Sequence, residues 1–227
     1  YNNLLEIENN ERSIQRPSSF LSVQSNFLKQ LSENDKMILK SYTYLGDRIL
    51  NGVLRGNITD IVTENKKIIE AFLEFVKKYP ELSKPSKIGI LQNYISMFIN
   101  TFRKVPILSE DLMVYRGVQR KEDMLMHGNE FMSTSFSRKV SQTFVNQNQC
   151  CLMKIHIRPG VRVLYMKDIT YFPDEDEVLI GPPFKIEKME QVGDNYEVTI
   201  GPFIYKKGAT RRHRKKTNKR KKTRKSH

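Results

Sequence analysis

Hydrophobic residues return at helical spacing through the first hundred positions, then in short alternating runs. The helical spacing begins near Phe20. "SENDKMILKSYTYLGDRILNGVLRGN" opens with Ser32 and Asp35 in a capping-box arrangement, and Ile38, Tyr42, Leu45, Ile49 and Val53 share one helical face. Gly56 supplies a C-terminal stop. A second helix fits "ENKKIIEAFLEFVKKYP", with Ile69, Phe72, Leu73 and Val76 inward and Pro80 ending it. A third fits "SKIGILQNYISMFINTFRKVP", with Leu91, Ile95, Phe98 and Phe102 inward. Apolar faces of this kind are ordinarily buried core.

After Pro106 the pattern changes. "LMVYRGV", "EFMSTSF", "CLMKIHI", "VRVLYM", "EVLIGPPFKIEKME" and "YEVTIGPF" are rich in Val, Ile, Tyr and Phe. The breaks include "RPG" at 158–160, "GPP" at 181–183 and "GDN" at 193–195. Such spacing predicts an antiparallel sandwich or barrel. Helices first and strands later make an α+β fold. The expected organisation is a polar leader over 1–19, one domain over 20–205 and a tail over 206–227. Within the domain, 20–105 is helical and 106–205 is β-rich.

Composition changes this picture at one end only. The 227 residues carry a formal charge of +14, and 13 Lys or Arg fall in 206–227 with no acid among them. Subtracting those 13 leaves +1 for residues 1–205. A like-charge block without apolar residues cannot bury surface and is expected to be disordered. Its clustered cations suit a polyanion, either nucleic acid or an acidic surface, or serve as a nuclear address. No apolar run has the length of a membrane span. The two cysteines, Cys150 and Cys151, are adjacent, a poor geometry for a disulfide, and read as reduced packing residues. His156 lies nearby, but no zinc spacing accompanies it, so no metal is expected.

Three polar features interrupt the strands. "VYRG" puts Arg116 beside Tyr115 on the opposite strand face. "FMSTSFS" sets Ser133 and Ser135 on one face and Thr134 on the other, and buried hydroxyls of this kind need partners. "YFPDEDEVLI" crowds Asp174, Glu175, Asp176 and Glu177 against the start of an apolar strand. An isolated acidic run ordinarily marks a solvated turn. Strand alternation would put Glu175 and Glu177 on one side and point Asp176 away.

An arginine on one strand, Ser-Thr-Ser on a later one and Glu-x-Glu on a third resemble the ADP-ribosyltransferases. The likeness is to the bacterial-exotoxin and arginine-specific mono-ADP-ribosyltransferase branch with the R–STS–ExE signature. It covers roughly residues 25–200, and "SYTYLGDRILNGVLRG", "VYRG", "EFMSTSFSRKVSQTF", "IHIRPGVRVLYM" and "EDEVLIGPPFKI" occur in the family's order. The resemblance implies N-terminal helices packed on a mainly antiparallel split β-sandwich, and NAD+ as co-substrate.

It also implies roles. Arg116 would help hold the NAD phosphates or ribose, a task suited to a fork of charged donors. Ser133 would support the nicotinamide ribose and orient the catalytic glutamate, with Thr134 and Ser135 bracing the strand. Phe144 matches an aromatic that packs on nicotinamide, and Gln147 stands where toxin members often carry an arginine. Phe172, three residues before Glu175, matches an aromatic that touches the protein substrate. Glu177 would be the catalytic glutamate, stabilising positive charge on the sugar as the nicotinamide bond breaks. Glu175 would align an acceptor guanidinium and take its proton. The acceptor implied is arginine on a target protein, with Asp174 and Asp176 as solvated flanks.

Two other readings stay open at this level. One is a catalytically weak transferase fold that binds nucleic acid or a scaffold through its basic tail, and the other is transfer to nucleic acid. The tail and the lack of a signal pattern suit a viral or bacterial effector in the cytoplasm or nucleus of a eukaryotic cell, with secretion as the alternative.

Overall fold

The computed structural model describes residues 16–56, 66–76, 86–119, 128–145 and 151–204. The basic tail, Pro80, Cys150, Gln147 and the side chains of Leu45 and Val76 lie outside what is described. Among the described residues no helix is long and apolar enough to cross a membrane.

The helices come first. They are α1 (Ser18–Gln30), α2 (Glu33–Ser41), a π-helical turn (Tyr42–Gly46), α3 (Asp47–Leu54), α4 (Lys66–Val76) and α5 (Lys87–Phe102). Helix α1 starts two residues before the hydrophobic spacing announced it. Helix α2 is capped as expected, with the Asp35 amide donating to Ser32 Oγ at 3.1 Å. Caps of this type are worth about 1 kcal/mol. Helix α3 gives way to a turn at Gly56, whose φ of +91° favours glycine.

The π-helical turn was not foreseen. Its extra residue is absorbed as the Asp47 amide donates to the Tyr42 carbonyl, five residues back. The turn advances the helix face by one position. Leu50 therefore joins Ile49 at full burial, while Val53 is only partly covered. Ile69, Phe72, Leu91, Ile95, Phe98 and Phe102 are buried where the spacing put them.

The strands are β1 (Leu112–Gly117), β2 (Met132–Ser135), β3 (Leu152–Ile157), β4 (Arg162–Tyr165), β5 (Glu177–Gly181), β6 (Phe184–Val192) and β7 (Asn195–Pro202), with a short helix α6 (Arg138–Thr143) after β2. They run in the order β4-β5-β2-β1-β3-β7-β6. All neighbours are antiparallel except β3 and β7. Between β2 and β1 the ladder narrows to one pair, Tyr115 with Ser135. The sheet thus divides into β4-β5-β2 and β1-β3-β7-β6, a mainly antiparallel split arrangement.

Alternation along β4 and β5 sorts side chains into two cores. Leu164 and Leu179 join the helices in one core with Tyr42, Phe72, Tyr94 and Phe98. Val163, Tyr165, Val178 and Ile180 join β1, β3 and β7 in the other. Gly181 belongs to the helix side, where a Cβ would lie 2.0 Å from the Phe102 ring. Cys151 is buried among the apolar side chains of the second core, as expected of a packing residue.

Candidate active site

Glu177 begins β5 and lies two residues before Leu179, so it shares the helix-facing side of the strand. Beyond the last apolar contacts that side opens into a cleft. Ser133 reaches the same place from β2, where Phe131, two residues earlier, packs into the helix-side core. The Ser133 hydroxyl donates to Glu177 Oε1. Glu177 is only 5% exposed. Burial, with the nearby Glu175 and Asp47 carboxylates, pushes its carboxyl up to about 7, against the lowering effect of the Ser133 hydroxyl. Desolvation penalises the charged form, which is why burial dominates.

The other two hydroxyls of the Ser-Thr-Ser run are also paired. Thr134 Oγ1 donates to the Val178 carbonyl at 2.6 Å. Ser135 Oγ donates to the Glu175 carbonyl at 2.7 Å and accepts the Ser137 amide at 2.9 Å. The run therefore stitches β2 to β5 across the two glutamates. Arg116, near the end of β1, donates from Nη1 to the Ser133 carbonyl at 2.8 Å.

Glu175 departs from the strand pattern. It closes a 3₁₀ turn, Pro173–Glu175, rather than opening the strand. Asp176 after it has φ +52° and ψ +40°. That left-handed residue, not simple alternation, sets how Glu175 stands to Glu177. Glu175 is half-buried at the cleft wall, and burial raises its carboxyl above the usual range.

Asp174 is exposed as expected, but Asp176 is not a solvated flank. It is 7% exposed and accepts from Arg16 at 2.5 Å and from the Tyr165 hydroxyl. The reason is that it continues the Val178–Ile180 side of β5, which faces the inter-sheet core.

The cleft has a volume of about 1220 Å³, and its lining includes Arg116, Ser133, Thr134, Ser135, Phe144, Phe172, Glu175 and Glu177, the residues expected to bind or react. Phe144 and Phe172 are 45% and 46% exposed, so two bare rings stand in the cleft walls. Gly117 lets α6 close against β1, since a Cβ there would lie 1.9 Å from the Ser141 carbonyl and 3.0 Å from Phe144 Cβ.

The opposite wall comes from the π-helical turn, α3 and the residue after it; the sequence placed Tyr42 on a core face and did not single out Asp47, Asn51 or Arg55. Tyr42, Asp47, Asn51 and Arg55 all line the cleft. Asp47, Asn51 and Arg55 are spaced four apart, a polar stripe on the helix face away from the core. That spacing was the available signal. Tyr42 is buried against Phe98 and Phe131, with ring centroids 5.7 and 6.2 Å away. Its hydroxyl is held well above the ordinary tyrosine value, mainly by burial and then by the Glu177 and Asp47 charges. Desolvation by the surrounding cleft walls raises the Asp47 carboxyl, although its surface remains open to the cleft. Arg55 makes a two-point ion pair with Glu130, at 2.8 and 2.6 Å.

Asn51 fastens this wall to β2. Its Nδ2 donates to the Phe131 carbonyl and its Oδ1 accepts the Phe131 amide, both at 2.9 Å. Asn51→Ala strands two backbone groups at once. The expected cost is about 2–4 kcal/mol, read as a lower denaturant midpoint. Asn51→Asp is expected to keep the amide contact and lose the donation to the carbonyl, so its midpoint falls between wild type and Asn51→Ala.

Helices followed by a split, mainly antiparallel sheet make a fold of ADP-ribosyltransferase type, and its cleft holds a buried glutamate, a serine bonded to it and an arginine. The family model described as ADP-ribosyltransferase exoenzyme matches residues 22–207. The chain belongs to that family of toxin-like mono-ADP-ribosyltransferases. Among solved structures it is similar in fold to Plx2a, an ADP-ribosyltransferase toxin from Paenibacillus larvae, with TM-score 0.52 and 19% identity over 81% of this chain and 92% of that one. It is also similar to an ADP-ribosyltransferase from Clostridium botulinum, solved in a triclinic form, with TM-score 0.50 and 17% identity over 85% and 98%. A third is C3stau2 from S. aureus, solved with NAD, with TM-score 0.52 and 15% identity over 85% and 98%. No curated protein sequence matches.

Proposed function

We propose that the chain transfers ADP-ribose from NAD+ to arginine on a target protein and releases nicotinamide. The observation that carries this reading is the pair of carboxylates at one cleft wall: Glu177 buried and bonded by Ser133, and Glu175 half-buried two residues earlier.

The cleft fits a dinucleotide. Its volume of about 1220 Å³ exceeds the roughly 300–1,000 Å³ of common small-molecule pockets. Arg116 brings a cation for phosphate or ribose oxygens, and the exposed Phe144 ring brings a flat apolar surface for nicotinamide. The similar C3stau2 was solved with NAD. NAD+ bound there supplies the ADP-ribosyl group and nicotinamide as its leaving group.

The chain's own residues then divide the work. Ser133 holds Glu177 by a hydroxyl bond, so the carboxylate is oriented before substrate arrives. A fixed negative charge in a buried place stabilises developing positive charge without reorganisation. Arginine is a weak nucleophile because its guanidinium stays protonated at neutral pH. Glu175 pairs with that guanidinium, aligns one nitrogen and accepts its proton. Phe172, bare at the same end, meets the protein that carries the arginine.

Incubation with labelled NAD+ and agmatine, and in parallel with a cell lysate, tests the proposal. Labelled agmatine and label mapped to arginine in lysate proteins are expected. NAD+ turnover with label on another side chain or on nucleic acid would refute arginine as the acceptor, and no NAD+ turnover at all would refute the enzyme.

A further inference from the structure

Asp176 lies between the two glutamates and faces the other way. Behind the turn it forms a closed set of contacts that nothing in the transfer reaction requires. Oδ2 accepts from Arg16 Nη2 at 2.5 Å, and Oδ1 accepts from the Tyr165 hydroxyl. The Arg16 guanidinium also lies over two rings, 5.7 Å from Phe136 and 5.8 Å from Tyr165. Those rings meet edge to face at 5.4 Å. The Phe136 amide, in turn, donates to the Asp176 carbonyl at 3.2 Å. Arginine suits this place because its planar cation pairs with a carboxylate while stacking on aromatic faces.

The arginine arrives from far away in sequence. It precedes α1, and α1 is anchored to β4 by Gln24, which donates to the Val163 carbonyl at 3.0 Å and accepts the Tyr165 amide at 3.2 Å. The N-terminal edge of the domain thus reaches across to the turn that carries both glutamates. A non-glycine residue in the left-handed region is disfavoured, and a buried carboxylate is costly unless paired. Asp176 is both. Its backbone angles decide the direction in which Glu175 leaves the strand line of Glu177.

We propose that Arg16, Asp176 and Tyr165 form a clasp behind the active-site turn that positions Glu175 relative to Glu177. Arg16 and Asp176 are positioning residues: neither lines the cleft. The inference rests on the roles proposed for the two glutamates.

The test uses the full chain with Arg16→Met, Asp176→Asn, the double variant and Arg16→Lys. Asn tolerates the left-handed region and keeps an acceptor for Tyr165, so Asp176→Asn removes charge with little change of shape. Three quantities are read: kcat and KM of transfer to agmatine, NAD+ hydrolysis, and amide exchange in the 171–180 peptide. The single variants are expected to lose on the order of tenfold in transfer kcat, with KM for NAD+ within about twofold because the clasp does not touch the cleft. Hydrolysis is expected to fall less than transfer, since water needs no alignment by Glu175. The double variant is expected to be no worse than the poorer single, as for two residues acting through one contact. Arg16→Lys is expected to regain part of the loss. Exchange in the 171–180 peptide is expected to quicken while that of α5 stays unchanged.

Transfer at wild-type kcat in the folded singles, losses that multiply in the double, or unchanged exchange in the turn would each overturn the clasp. A wild-type chain that turns over no NAD+ would instead refute the proposed function, and the exchange comparison would still decide the clasp.

Discussion

Glu177→Gln is expected to abolish both ADP-ribosyl transfer and NAD+ hydrolysis while making the protein more stable above neutral pH. The swap keeps the side chain's shape and an acceptor for Ser133 but removes the charge. Loss of one preorganised charge at the reacting centre is expected to reduce kcat by on the order of 10²-fold or more. The stability change follows from the same burial. The carboxyl titrates near 7 in the folded chain against an ordinary value of 4.5. Between those values the folded state binds more protons than the unfolded state, so wild-type stability falls as pH rises through this window. About a unit above pH 7 the deficit is complete, on the order of 3 kcal/mol. Glutamine does not carry it. The variant should therefore match wild type in melting temperature near pH 4 and exceed it by several degrees at pH 8. In wild type, kcat/KM for NAD+ should rise with pH through about 7 as Glu177 loses its proton. Near-normal turnover by a folded variant would remove Glu177 from the chemistry. Equal melting temperatures at pH 8 would mean that its carboxylate is better solvated than its burial implies.

Glu175→Gln is expected to separate the two activities. Transfer to agmatine should fall by on the order of 10²-fold, because the guanidinium loses both its partner and its base. Hydrolysis of NAD+ should persist within about an order of magnitude, since Glu177, Ser133 and Arg116 are untouched. The acid limb of the remaining hydrolysis should also move to lower pH. Glu175 is one of the charges that raise the Glu177 carboxyl, and removing it eases ionisation of its neighbour. Parallel assays of labelled agmatine and free nicotinamide across pH check all three statements. Equal loss of transfer and hydrolysis would place Glu175 at the ribose rather than at the acceptor.

Local pattern carried much of this molecule. The faces built from Ile38, Ile69, Phe72, Leu91, Ile95, Phe98 and Phe102 are buried because a helix repeats every 3.6 residues whatever it packs on. The strand segments and their breaks were legible for the same reason, with a period of two. So was the membership of the cleft on its β side, because Arg116, Ser133 and Glu177 are polar residues set into strands otherwise selected for burial.

What the sequence could not decide depends on partners brought together by the fold. One residue absorbed in the π-helical turn moved Leu50 into the core, because the backbone bond skipped to the fifth residue. Asp47, Asn51 and Arg55 became a cleft wall only when α3 was set against β2 through Phe131. Asp176 reads as one more exposed acid in an acidic run. Burying it is tolerable only because Arg16, 160 positions away, and Tyr165 converge on it. A carboxylate's solvation is a property of everything around it, whereas alternation is a property of the chain alone. Residue order therefore determined that Glu175 and Glu177 would stand near one another, and tertiary packing determined the angle between them.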